Sequence, residues 1–234
     1  MDEYAEEALA IAMTVSIAQN SDRSGIMLRA WYPATWDEYS TLRDEVAVER
    51  ARLFFNEGWL WVDTGAEGIN HASISDLITM LFYIWATQQP EQVFTSLGRC
   101  LLEKPSIKAG APDLVLYLGD NYPRWQPGEL RRINLDQWSA PNLVGEISDT
   151  TLATDLDEKK QIYAALGIPE YWVVDVQGQR VFIFQLQDGQ RYQESDESKI
   201  LAGLSARLLT QALQRLAEAS NIQVAAWLSQ QLSN

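Results

Sequence analysis

Asp113 lies in Pro112-Asp113-Leu114-Val115-Leu116-Tyr117-Leu118, and Glu146 in Asn142-Leu143-Val144-Gly145-Glu146-Ile147-Ser148. A helix-permissive stretch from Asp155 to Tyr163 carries Lys159, and Glu170-Tyr171-Trp172-Val173-Val174-Asp175 follows it. Short runs of Leu, Val and Ile suit strands buried on both faces, where a lone acid is costly unless it has a partner or binds a cation. The chemistry to explain therefore sits on Asp113, Glu146 and Lys159.

Period two in a strand puts Val144, Glu146 and Ser148 on one face and Leu143, Gly145 and Ile147 on the other. At about 100° per residue from Asp155, the apolar face of the following helix centres near about 30° and Lys159 falls near about 40°. Lys159 is thus expected to point at the sheet beside Asp155, with Lys160 directed to solvent. An inward lysine needs an anion close by, which Glu146 and Asp113 supply. Two accounts fit. One is a buried ion pair that fixes helix on sheet. The other is a divalent-cation site in which two carboxylates, a strand carbonyl at Ile147 and waters suit magnesium, with manganese as the alternative ion, completed by substrate phosphate.

Pro-Asp at 112–113, Glu-x-Ser at 146–148, Asp-x3-Lys-x3-Tyr at 155–163 and Gly-Ile-Pro-Glu-Tyr-Trp-Val-Val-Asp at 167–175 resemble the Uma-two family of nucleases, within the PD-(D/E)XK restriction-endonuclease-like superfamily. The resemblance covers roughly residues 45–210. It implies an α/β fold with a mixed central sheet flanked by helices, and magnesium-dependent hydrolysis of phosphodiester bonds. By position, it implies Asp113 and Glu146 as metal ligands, with Lys159 as the catalytic lysine that orients the attacking water or stabilises the pentacovalent charge; Asp155, Tyr163 and His71 are accessory candidates. Two positions depart from the superfamily pattern. Ser148 stands where a lysine usually follows the second acid, the lysine lying on the next helix as is usual in this family. Phe54 stands four residues before Gly58, where family members often carry an acid.

The elements that must position these residues are uneven in how clearly they read. Asn70 is expected to cap a helix from His71, with Ile74, Leu77, Ile78, Leu81, Phe82 and Trp85 on one side. His71, the single histidine, falls at the edge of that face and reads as a packed or capping residue as readily as a functional one. Residues 41–55 read as an acidic, helix-permissive stretch, and Trp59 to Val62 as a strand. The connection from Gly119 to Pro141 interleaves Tyr122, Arg124, Trp125, Arg131, Arg132 and Trp138, a pattern suited to contacting nucleic acid or to a solvated loop. Leu209, Leu213 and Leu216 form a stripe in the tail that packs on the domain or on a second copy of it, and a homodimer is expected through it or through an edge strand.

Three segments are expected: an N-terminal extension over 1–40, the nuclease domain over 41–210 and a C-terminal helical tail over 211–234. With 47% apolar residues and nine tryptophans the chain can bury a large core. A formal charge of −14 argues against indiscriminate binding to phosphate backbones and confines any nucleic-acid contact, DNA before RNA, to a local basic path. A single cysteine, Cys100, excludes an internal disulfide framework. The apolar run Ala8 to Ala18 follows acids rather than bases and is shorter than a bilayer span, so no membrane association and a cytoplasmic location are expected.

Overall fold

The computed structural model describes residues 31–45, 51–63, 67–189 and 191–232. The apolar run Ala8 to Ala18 lies outside these residues. In chain order the elements are β1 (Tyr32–Pro33), α1 (Trp36–Arg43), β2 (Arg52–Asn56), β3 (Trp59–Asp63), α2 (Ile69–Thr87), β4 (Phe94–Ser96), β5 (Leu101–Lys104), β6 (Lys108–Gly110), β7 (Leu114–Leu118) and β8 (Arg132–Asn134). They continue with β9 (Leu143–Ser148), α3 (Leu152–Leu156), α4 (Glu158–Ala165), β10 (Glu170–Asp175), β11 (Arg180–Gln187), β12 (Arg191–Ser195), α5 (Ala206–Leu216) and α6 (Asn221–Leu232).

The strands form two sheets rather than one, in the orders β1-β3-β2-β6-β5-β8 and β12-β11-β10-β9-β7-β4. The second is the mixed central sheet: β9 and β10 run parallel, as their crossover through α3 and α4 requires, and their neighbours run antiparallel. Its alternation is clean. Leu114, Leu116, Leu143, Ile147, Trp172 and Val174 face α2, α5 and α6 in one apolar cluster. Val115, Tyr117, Val144, Tyr171 and Val173 face the other way, against α4 and against Phe54, Trp61 and Leu102 of the first sheet. The outer side of the first sheet is covered by α1 through Tyr39 and Leu42. The layers thus run helix, sheet, sheet, helices, with charged residues caught between the sheets.

Several local expectations change. The stretch over 41–55 is not one helix: β2 takes Arg52–Asn56, and β2 and β3 form a hairpin whose turn residues Glu57 and Gly58 have φ of 47° and 92°. Two consecutive positive φ values make a primed turn that matches strand twist, which β-branched or bulky residues resist. Helix α1 starts at Trp36 because Thr35 and Glu38 form a reciprocal capping box. It spans the boundary set at residue 40, as α5 spans the one set at 210. Helix α2 begins at Ile69 after Gly68, not at His71 after Asn70, and buries the six apolar residues expected together with His71.

In the tail, Leu209, Leu213 and Leu228 are buried against the chain's own core and Leu216 and Trp227 pack on it. That stripe serves the domain. Among the described residues, no helix is long and apolar enough to cross a membrane.

Candidate active site

Asp113 immediately precedes β7, Glu146 is central in β9, and the two antiparallel strands pair Leu114 with Gly145. The Asp113 Oδ2 accepts a hydrogen bond from Ile147 N–H at 2.8 Å, which ties the first acid to the strand that bears the second. Lys159 comes from the first turn of α4, where the chain breaks direction at Asp157 (φ −123°, ψ −87°) between α3 and α4. The helix expected to begin at Asp155 is therefore two short ones. The predicted orientation nonetheless appears: Lys159 is fully buried, and Lys160 is half-buried, with its ammonium 4.5 Å above the Phe184 ring.

Lys159 Nζ lies 2.7 Å from Asp155 Oδ1 and 3.2 Å from Glu146 Oε2. It also sits 4.3 Å above the Phe54 ring, so the position where the family often carries an acid supplies an aromatic face to the ammonium. Asp155 is in turn gripped through Oδ2 by the hydroxyls of Ser148 and Thr151. Ser148, which replaces the strand lysine of the superfamily, thereby orients the carboxylate that orients Lys159. Tyr163 donates its hydroxyl to Glu146 Oε1. It approaches so closely that a Cβ on Gly110 would stand 2.9 Å from its Cε1, so glycine is needed there.

Two residues not singled out in the sequence complete the cluster. Arg52, at the head of β2, reaches across from the first sheet: Nη1 lies 2.7 Å from Asp113 Oδ1 and 3.5 Å from Glu146 Oε2, and Nη2 lies 2.9 Å from Asp63 Oδ2. Asp63 is the direct partner of Arg52 in the β2–β3 register. The signal was present in the sequence: Arg52 shares the strand face of Phe54, an odd place for a charge in an otherwise apolar strand.

On the other side of Asp113, His71 Nε2 stands 3.2 Å from Oδ1, though out of line for a hydrogen bond. Glu67, His71 and Asp113 bring potential ligand atoms within 4.8 Å of one another. Arg99 caps that trio, in contact with Glu67 and 3.3 Å from His71 Nδ1. His71 thus sits between Asp113 and the Glu67–Arg99 pair.

Four carboxylates (Asp63, Asp113, Glu146, Asp155) thus face two permanent cations, Arg52 and Lys159, and the four acids are at most 4% exposed. The electrostatics follow that imbalance. Burial would raise the Asp113 carboxyl, but His71, Arg52 and the Ile147 N–H outweigh it and hold it down at about 2. Glu146 goes the other way: burial, opposed by Lys159 and reinforced by the charges of Asp155 and Asp113, pushes it up to about 8. The Lys159 ammonium is kept charged, since the pull of Glu146 and Asp155 exceeds the cost of its burial.

A divalent cation suits this donor set. Asp113 Oδ1 and Glu146 Oε2 already converge on one positively charged nitrogen, Arg52 Nη1, and carboxyl oxygens are the donors a hard ion takes. The Ile147 carbonyl belongs to the same strand as Glu146. Of the expected nucleic-acid contacts, Arg124, Trp125 and Arg131 are exposed, whereas Arg132 is engaged by Asp44 at 2.6 Å and by the Arg43 carbonyl. Tyr122, Leu135 and Trp138 of the same connection pack on the cluster that includes Tyr163, which puts it on the site's side of the central sheet.

A family model described as "Uma2: Putative restriction endonuclease" matches residues 36–223. A solved structure described as a putative nuclease belonging to DUF820 from Anabaena variabilis ATCC 29413 is 19% identical, with 84% of this chain and 99% of that one covered and a TM-score of 0.51. At that identity the likeness speaks for the fold. No curated protein matches the chain significantly.

Proposed function

The chain belongs to the Uma2 family of restriction-endonuclease relatives, and from that premise we propose that it is a nuclease hydrolysing nucleic-acid phosphodiester bonds with a divalent cation, magnesium or manganese, held by Asp113, Glu146 and the Ile147 carbonyl. The observation that carries the reading is the convergence of two buried carboxyl oxygens, Asp113 Oδ1 and Glu146 Oε2, on a single cationic nitrogen. The cation, when bound, supplies Lewis acidity: it neutralises phosphate oxygens and makes water a better nucleophile near neutral pH.

The protein's own groups prepare that chemistry. The Ile147 N–H holds Asp113 Oδ2, leaving Oδ1 turned to the centre. Tyr163 holds Glu146 Oε1 and leaves Oε2 free to share with a cation. Lys159, kept charged by Glu146 and Asp155, stands ready to orient the attacking water or to offset charge developing on the phosphorus centre. Exposed Arg124, Trp125 and Arg131 supply a basic, aromatic path for the substrate on an otherwise acidic protein. The restriction-endonuclease description of the family supports DNA over RNA.

A second reading, a non-hydrolytic relative that binds nucleic acid or a protein partner, is favoured by one observation: Lys159 has no exposed surface and rests on Phe54 where an acid is often found. Incubation with duplex and single-stranded DNA and RNA, in magnesium or manganese, separates the two. Cleavage that needs the ion and is lost in Glu146→Gln supports the nuclease; binding without cleavage under every ion and substrate supports the second reading.

A further inference from the structure

Arg52 occupies the place a cation would take. A hard divalent ion held by Asp113 Oδ1 and Glu146 Oε2 would need oxygen contacts of about 2.0–2.6 Å, and Arg52 Nη1 already lies 2.7 and 3.5 Å from the same two atoms. Two positive groups cannot share that volume. One has to leave when the other arrives.

The packing decides which. Lys159 has no exposed surface and is anchored by Asp155 and by the Phe54 ring. Arg52 is different: 20% of its side chain is exposed, and it enters from the first sheet whereas both acids belong to the second. Its stem therefore need not pass through the sheet that carries the acids in order to withdraw. Its second nitrogen is held by Asp63, a partner on its own sheet, which can keep the guanidinium near the mouth of the site after it lets go of the acids. Phe54, next on the same strand face, offers no carboxylate that could help an ion displace the arginine.

We propose that Arg52 and a hard divalent cation are mutually exclusive occupants of the Asp113–Glu146 pair, so that this arginine sets the cation affinity of the site. The inference rests on the reading of Asp113 and Glu146 as cation ligands and adds the residue that competes for them. Population arithmetic gives the consequence: a site that binds only when the arginine is out has its affinity reduced by the fraction of time the arginine is in.

The test is direct binding of manganese, followed by calorimetry and by the loss of the free-ion electron paramagnetic resonance signal, with no substrate present. Arg52→Met should bind manganese at least about tenfold more tightly than the wild type, and Arg52→Lys, which keeps the charge but loses the fork that holds Asp63 and Asp113 together, should fall between them. Removing any nearby positive charge helps a cation, so Arg99→Met is the control: it takes away the guanidinium beyond His71 and should change the affinity by no more than about threefold. Adding Glu146→Gln to Arg52→Met should cancel the gain. The inference is overturned if Arg52→Met binds no better than the wild type, or if Arg99→Met gains as much. Binding of equal strength in wild type and Arg52→Met leaves the cation-site reading standing, whereas no binding in any variant removes that reading as well. Should Arg52→Met fail to fold, Arg52→Lys against the wild type decides the matter: equal affinities in the two overturn the inference.

Discussion

Glu146 and Glu170 are both buried glutamates on adjacent parallel strands of the central sheet, with 1% and 0% of their surface exposed. Their company differs. Glu170 points to the apolar side, where it accepts from Trp172 Nε1 at 2.7 Å, from the Ser198 hydroxyl, and from the Lys199 and Ile200 N–H groups at 2.8 and 3.3 Å. Neutral donors satisfy it and fasten the segment after β12 to the sheet. Glu146 faces Lys159, Arg52 and Tyr163 and is crowded by Asp113 and Asp155. Burial alone does not single out an acid as a candidate site; burial among like charges does, because such a cluster calls for balancing cations.

The largest effect that would sharpen this comparison comes from removing the balancing lysine. Lys159→Met should cost about 3–5 kcal/mol in urea unfolding, since Glu146 and Asp155 are left buried with one cation fewer. Pairing it with Glu146→Gln should recover a good part of that loss. The contrast is an apolar cavity: Leu81→Ala on the far face should cost about 2–5 kcal/mol and add to the Lys159 effect without rescue.

Next is the fastening role of the second glutamate. Glu170→Gln should cost about 1.5–3 kcal/mol, because an amide cannot accept from four donors through two oxygens, and no divalent ion should offset the loss. An ion-dependent rescue of Glu170→Gln would erase the distinction drawn between the two acids.

The pH dependence should separate them further. Burial among Asp155 and Asp113 pushes Glu146 up to about 8 in the fold against an ordinary 4.5, so without divalent ions its contribution is full below about 4.5 and is lost as pH rises toward about 8. Asp113 works in the opposite sense: held at about 2 against 3.8, its contribution is present above about 3.8 and is lost as pH falls through about 2. Melting temperatures measured in chelator from pH 4 to 9 should therefore decline across the upper range, and Glu146→Gln should flatten that decline. A wild-type profile that rises from pH 5 to 8 would contradict the crowding of Glu146.

The smallest effect lies at the surface. Lys104 and Asp136 form an ion pair with 41% and 50% of their side chains exposed, and Lys104→Ala should change stability by less than about 1 kcal/mol.

Much of this was legible in the sequence where one residue answers to one period. Glu146 and Lys159 fall on the faces that strand and helix geometry assign them, and α2 buries the apolar set that its spacing gives. What was not legible depends on pairs far apart in the chain. Arg52 stands out as a charge on the Phe54 face of its strand, but its meeting with Asp113 needs a second sheet to pack on the first, which nothing local in Arg52-Leu53-Phe54-Phe55 announces. The helix start at Trp36 was readable from Thr35 and Glu38, a capping box masked by the acidic run that follows it. The break at Asp157 has no sequence marker such as glycine or proline.

The most direct test of the central claim is the thermal melt of the wild type, Glu146→Gln and the Glu146→Gln/Lys159→Met double variant, each with and without millimolar magnesium or manganese. The account predicts an ion-linked rise in melting temperature for the wild type alone, growing as pH increases toward about 8 because the ion displaces the Glu146 proton. A wild type that ignores both ions, beside a double variant as stable as the wild type, would make the cluster a structural ion pair and contradict the account.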